Sequence, residues 1–171
     1  MERIAEFYKV SFEQFKKDYI ANIGENKTEQ ELKEIYDNIK LPQRATATSG
    51  GYDLYLPFAI DLKPGEEIFI PTGIRYQSEP DYIFMLVPKS GLGSKCRLQL
   101  SATVGIIDSD YFFSTNEGHL QAKLIYDTRT STENLQLPAG KSFIQGIFLK
   151  FGITKSDNAQ GVRDGGFGST K

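Results

Sequence analysis

The 171 residues are 39% hydrophobic and 12% aromatic, enough for one domain with its own core. A formal charge of -2 gives no global basic field, so no nucleic-acid binding is expected and any positive charge aimed at an anion must be local. The single cysteine, Cys96, excludes an internal disulfide and the single histidine, His119, excludes a Cys/His zinc cluster. No window approaches a membrane span and the opening MERIAEFYKV lacks a signal peptide's apolar stretch, so a cytoplasmic location without membrane contact is expected.

In chain order, Ile4, Glu6, Tyr8 and Val10 share one face of a predicted opening strand. Ser11 and Gln14 then form a capping box, with Val10 and Phe15 as its staple, and the helix they start runs to about Ile23 and stops at Gly24. A second capping box, Thr28 and Glu31, precedes Leu32, Ile35, Tyr36 and Ile39 at helical spacing, and Pro42 ends that helix. This helical segment, residues 11–40, reads as packing on the main body or on a neighbouring subunit. From Ile60 onward short apolar runs alternate with Gly and Pro: EEIFI follows Lys63-Pro64-Gly65, YIFMLVP follows Glu79-Pro80-Asp81, and SFIQGIFLKF follows Pro138-Ala139-Gly140. The predicted fold class is all-β, a two-sheet barrel or jelly roll with an added N-terminal helical segment.

Five short blocks stand out: ATSGGYDL from Ala47, PKSG from Pro88, VGIIDSDY from Val104, GKSFIQ from Gly140 and RDGGFGST from Arg163. They combine hydroxyls, backbone amides and two cations suited to an oligophosphate with carboxylates suited to water and a divalent cation. Nucleoside triphosphate chemistry follows as the expectation. In VGIIDSDY, period-two geometry places Asp108 and Asp110 on one side of an extended segment, either as turn aspartates that satisfy backbone amides or as working carboxylates beside the aromatic Tyr111. Gln145 sits in a run otherwise apolar on both faces, as an interface glutamine or as a ligand. The glycine-rich end is a solvated tail or, given Arg163 and Phe167 within it, an arm with a task.

In this order the blocks resemble the five motifs of the homotrimeric dUTP diphosphatases, the dUTPases, over roughly Leu41 to Thr170. The resemblance implies a jelly-roll subunit, Mg²⁺-dependent hydrolysis of dUTP to dUMP and pyrophosphate, a homotrimer whose active sites draw on more than one chain, and a C-terminal arm, residues 161–171, that closes over substrate. It assigns Asp108 to orient the attacking water and accept its proton, and Tyr111 to pack on the deoxyribose. Uracil would be read by main-chain groups near Ala102 and Ile106, with Ile107 beside them and Gln121 on the facing strand. Ser90, the Gly91 amide and Gln145 would hold the phosphates, helped by Lys89 and Arg163. Gly168, Ser169 and Thr170 would form an anion nest and Phe167 would stack on the base. Asp53 would reach Mg²⁺ through water.

Three departures from the family pattern are visible. Lys89 stands where arginine is usual, giving a point charge for a planar fork. Ala102 replaces an asparagine found in some members. Residues Phe112 to Asn116 form an insertion read as a longer loop, and His119 on the returning strand reads as an ordinary strand residue rather than a metal ligand. Two other functions share these features: a dCTP deaminase of the same fold, or a nucleotide-sensing module that binds a repressor-type protein partner through residues 11–40 or 112–116.

Overall fold

The computed structural model describes residues 2–128, 131–163, 165 and 166. Its strands are β1 (Ala5–Lys9), β2 (Gln43–Arg44), β3 (Tyr52–Tyr55), β4 (Ile60–Leu62), β5 (Glu67–Ser78), β6 (Tyr82–Pro88), β7 (Leu98–Leu100), β8 (Gly105–Ile107), β9 (Leu120–Tyr126), β10 (Leu135–Leu137) and β11 (Ser142–Lys150). Helices α1 (Phe12–Asn22) and α2 (Glu29–Asp37) follow β1, and α3 (Ser90–Cys96) follows β6. All pairings are antiparallel, in a sheet of order β1-β5-β9-β7, a sheet of order β2-β3-β11-β6-β8, and the short pair β10-β4. The all-β jelly-roll architecture with N-terminal helices is the one expected.

The two larger sheets meet through aromatic rings. Phe7 and Tyr76 face each other across β1 and β5, and Phe84 and Phe148 do so across β6 and β11. Phe7 lies 5.4 Å from Phe84, Tyr76 5.2 Å from Phe84, and Phe84 4.6 Å from Phe148, tilted or edge-on as ring quadrupoles favour. The pairs therefore knit each sheet and bridge the gap between them. Phe7 carries the buried face of β1, whereas Glu6 and Tyr8 point outward. Of the four residues expected on one face, Ile4, Glu6 and Tyr8 mark the outer side, whereas Val10, past the end of the strand, is buried.

Both helices start as their capping residues dictate, with one difference. Thr28 and Glu31 form the complete reciprocal box. Ser11 accepts from the Gln14 amide, but the Gln14 side chain turns down the helix to Asp18 at 2.8 Å. The backbone N–H and the hydroxyl of Ser11 donate instead to Glu117, at 2.7 and 2.6 Å. The cap of α1 is therefore closed by a carboxylate 106 residues away, which local spacing could not reveal. Gly24, at φ +117°, ends the helix where expected.

Helix α1 packs on β5 and is tied to the start of β9 through side chains. Phe15 and Tyr19 are buried, and Tyr19 meets Phe58 edge-on at 5.2 Å. His119, the residue before β9, has no exposed surface: its Nε2 accepts the Gly73 N–H at 2.7 Å and its Nδ1 lies 2.5 Å from the Asp18 carboxylate. With Nε2 acting as acceptor, the proton sits on Nδ1 and is donated to Asp18. Gly73 occupies the register shift between Pro71 and Ile74 at φ +73°, and a Cβ there would fall 2.3 Å from the Ile39 side chain. Only glycine fits that bulge. His119 is thus a structural joint rather than an ordinary strand residue.

Burial pushes the Asp18 carboxyl up, but hydrogen bonds from His119 and Gln14 outweigh it and hold the group below the ordinary carboxylate range. A carboxyl with a lowered folded-state pKa contributes stability that is present above that range and lost as pH falls through and below about 4. Asp18→Ala should lower the unfolding free energy at pH 7 by about 1–3 kcal/mol, by leaving the His119 N–H without its acceptor. Urea denaturation at a series of pH values should show the difference from the native chain shrinking on acidification.

Candidate active site

A cleft of about 280 Å³ opens between the β7–β8 connection and β9. Ala102, Gly105, Ile106 and Ile107 form one wall, Gln121 and Lys123 the other, and Leu86 of β6 the floor. β8 pairs with β6, Leu86 opposite Gly105 and Phe84 opposite Ile107, so the wall is backbone set in sheet register. The Tyr76 hydroxyl donates to the Ile107 carbonyl at 2.8 Å, anchoring the chain one residue before Asp108. Burial raises the Tyr76 phenol well above its ordinary value, so it stays a donor across the working pH range.

Asp108, Tyr111 and Arg163 also line it. The extended segment expected through Asp110 stops early: Asp108 is extended at φ -82°, ψ 154°, and Ser109–Phe113 coil into a 3-10 turn. Both aspartates still reach one cation. The Arg163 guanidinium bonds the Asp108 carboxylate and its Nε donates to Asp110 at 2.8 Å. Arg163 was expected on phosphate, whereas here the returning segment lies along the cleft of its own chain and presents the guanidinium to these two carboxylates. Further along that segment, a Cβ on Gly166 would fall 3.0 Å from the Tyr111 hydroxyl, so the chain there lies directly on the ring edge.

Tyr111 is almost fully buried. Its hydroxyl accepts from Asn116 at 2.7 Å and donates to the His119 carbonyl at 3.2 Å, and burial raises its pKa against the Asn116 bond. Phe112 and Phe113 finish the 3-10 turn where a loop was expected, residues 114–116 continue it as a loop, and neither added ring lines the cleft. Phe112 lies under the Arg75 guanidinium at 3.7 Å, and Arg75 also donates to the Phe112 carbonyl at 2.6 Å. Phe113 is 75% exposed.

Lys89, Ser90, Gly91, Gln145 and Asp53 form a second group, at the end of the other sheet. β11 lies between β3 and β6, with Gln145 opposite Asp53 on one side and Val87 on the other. Lys89 Nζ reaches Asp53 at 2.5 Å and the Ser142 hydroxyl at 2.8 Å. Ser90 and Gly91 open α3 from an extended Lys89. Among the described residues no hydrogen bond or ion pair joins this group to the cleft. Phe167, Gly168, Ser169 and Thr170 lie outside the described residues. Sequence reading missed Tyr76, Arg75 and Asn116, which hold the Asp108–Tyr111 turn from the far side of the sheet or loop and carry no local signal.

The dUTPase family profile matches residues 37–171, and the chain belongs to the dUTPase family. It is 33% identical over 135 residues to the deoxyuridine 5'-triphosphate nucleotidohydrolase of Lactococcus lactis, spanning 77% of this chain and 88% of that one. The enzyme of the same name from Psychromonas ingrahamii is 38% identical over 136 residues, spanning 75% and 85%. Among solved structures, the dUTPase of Streptococcus mutans superposes with a TM-score of 0.61 at 31% identity, over 68% of this chain and 89% of its own. A dUTPase from a Staphylococcus aureus phage, phi11, shares the fold over 93% of this chain and 97% of its own, with a TM-score of 0.63 at 16% identity. A structural Mg(II) ion has been described in a mutant of that phage protein.

The Lys89–Asp53 pair gives a direct check on the departure from arginine. Lys89→Met strands the mostly buried Asp53 carboxylate and should cost about 1–3 kcal/mol in chemical denaturation. Lys89→Arg keeps the charge in place and should stay within about 1 kcal/mol of the native chain.

Proposed function

We propose that this chain hydrolyses dUTP to dUMP and pyrophosphate, with Asp108 as the general base. The observation that carries the reading is the cleft: a carboxylate at its mouth, a buried tyrosine beside it and a wall of sheet-registered backbone. Uracil presents alternating acceptors and a donor, which the backbone of residues 102–107 can meet edge to edge. Wrong donors and acceptors against fixed main chain cost more than one methyl group, worth about 1–3 kcal/mol, so polarity sets the choice against cytosine and steric fit the choice against thymine.

In the reaction Asp108 takes a proton from water as the water oxygen bonds the α phosphorus. The bond from that phosphorus to the bridging oxygen breaks and pyrophosphate leaves. Arg163, now held by Asp108 and Asp110, moves onto the phosphates when the segment closes, which frees the carboxylate to act as base. Residues 161–171 act as the closing arm, with Phe167 over the base and Gly168, Ser169 and Thr170 around the terminal phosphates. Ser90, Gly91, Gln145 and Lys89 bind the remaining phosphate oxygens.

The residues fit Mg²⁺ bound mainly through the substrate. Among the described residues no three His, Cys, Asp or Glu side chains gather into a metal cage, and Mg²⁺ favours phosphate oxygens and water. Asp53 gives one carboxylate oxygen to Lys89 and has the other for a metal-bound water. When bound, Mg²⁺ would align the triphosphate and neutralise the departing charge.

The phosphate group of residues and the cleft belong to one site assembled between copies in a homotrimer. Two features support this: among the described residues no hydrogen bond or ion pair joins the two groups within one chain, and Leu149, Phe151 and Ile153 leave the end of β11 exposed, Ile153 by 74%. Residues 1–171 form a single dUTPase-like domain with 11–40 as its helical insertion.

A pyrophosphate assay with Mg²⁺ tests the reading. Release is expected from dUTP and not from dTTP, dCTP or UTP, and Asp108→Asn should lower the rate by roughly 10²- to 10⁴-fold, or about 3–5 kcal/mol. A near-native rate for that variant moves the base elsewhere, and ammonia release from dCTP would assign the deaminase chemistry instead.

A further inference from the structure

The helical insertion does more than cover the sheet, because the last residue of α1 touches the cleft wall. Asn22 Nδ2 donates to Gln121 Oε1 at 2.6 Å, and Gln121 lines the cleft opposite Ala102 and Ile106. The contact follows from a match of repeats. Asp18 and Asn22 are one turn apart on the same face of α1, about 6 Å along its axis, and His119 and Gln121 are two residues apart, about 6.6 Å along the strand. Asp18 meets His119 and Asn22 meets Gln121, so the helix lies along the strand in a two-rung register. The first rung is buried and the Phe15 and Tyr19 side chains lock the helix into the core, so the second rung is held where it is.

A glutamine amide has an acceptor end and a donor end that a half-turn about its last side-chain bond exchanges. Asn22 occupies the acceptor end, and no protein acceptor takes the Nε2 group among the described residues. We propose that Asn22 is a positioning residue for substrate recognition: it fixes the Gln121 amide so that its NH₂ faces the cleft and donates to a carbonyl oxygen of the pyrimidine. This rests on the reading of the cleft as the base pocket. Asn22 itself lies outside the region matched by the family profile, so this part of the site is supplied by the insertion.

Four variants assayed for dUTP hydrolysis decide the matter: Gln121→Ala, Asn22→Ala, Asn22→Asp and the double variant Asn22→Asp with Gln121→Ala. Gln121→Ala should raise the KM for dUTP about tenfold with kcat within about threefold of the native enzyme. Asn22→Ala frees the amide to turn and should raise KM by a smaller factor. Asn22→Asp offers only acceptors, so it draws the NH₂ to the helix, turns the carbonyl toward the base and should raise KM at least as much as Gln121→Ala. In the Gln121→Ala background the Asn22→Asp change should have no further effect, which a general loosening of the helix would not produce. Circular dichroism melting checks folding, and if Asn22→Asp fails to fold, Asn22→Ala alone and combined with Gln121→Ala carries the same comparison. A native KM for Gln121→Ala overturns the base-reading role of the cleft wall. A raised KM for Gln121→Ala with native values for both Asn22 variants, or additive effects in the double variant, overturns the positioning role of Asn22.

Discussion

Both ring nitrogens of His119 are committed inside the protein, one to the amide of the β5 bulge at Gly73 and the other to a carboxylate on α1. Three elements that are far apart in sequence therefore meet at one side chain with no access to water. An imidazole there must satisfy both nitrogens, since a buried donor or acceptor left unmade costs about 1–3 kcal/mol. That requirement fixes the bulge, the height of the helix above the sheet and the entry of β9. The next residues outward along β9 are those that form the cleft wall, and the His119 carbonyl takes the Tyr111 hydroxyl. The joint thus reaches the site on two sides.

From this constraint the site acquires its rigidity in layers. Tyr76 holds the carbonyl before Asp108, Arg75 holds the turn after it, and Glu117 ties the end of that loop to the N-cap residue of α1. The insertion between Phe112 and Asn116 pays for its length through these contacts rather than by lining the cleft. The residues proposed to bind phosphate obey a different rule. They sit where three strands end together, and the Lys89–Asp53 pair balances charge there within one chain.

Much of this was legible in the sequence, for identifiable reasons. Capping residues act over three or four positions, so the starts of both helices and the Gly24 stop could be read directly. The strands from Ile60 onward announced themselves by apolar runs between Gly and Pro turns. The five blocks carried the family resemblance only together and in order, since a glycine-rich turn or an Asp-Ser-Asp step alone occurs in many proteins. What escaped was non-local. Glu117 closing the Ser11 cap, the Asp18–His119 bond across 101 residues and the Tyr76 anchor at Ile107 depend on which elements the fold brings together. The contact of Arg163 with Asp108 and Asp110 could not be read locally for a related reason: a cation can satisfy phosphate or carboxylate, and only the fold shows the two aspartates beside it. Local pattern at His119 suggested a plain strand residue because its partners lie on other elements.

Since the chain has a single histidine, its ring can be observed without assignment ambiguity. A long-range proton–nitrogen correlation spectrum at neutral pH should show one tautomer, protonated at Nδ1, with a slowly exchanging proton hydrogen-bonded to carboxylate and an unprotonated Nε2. A spectrum of the Nε2-protonated form, or of two nitrogens averaged by rapid exchange with water, would contradict the buried joint on which the helix, the bulge and the cleft wall are built.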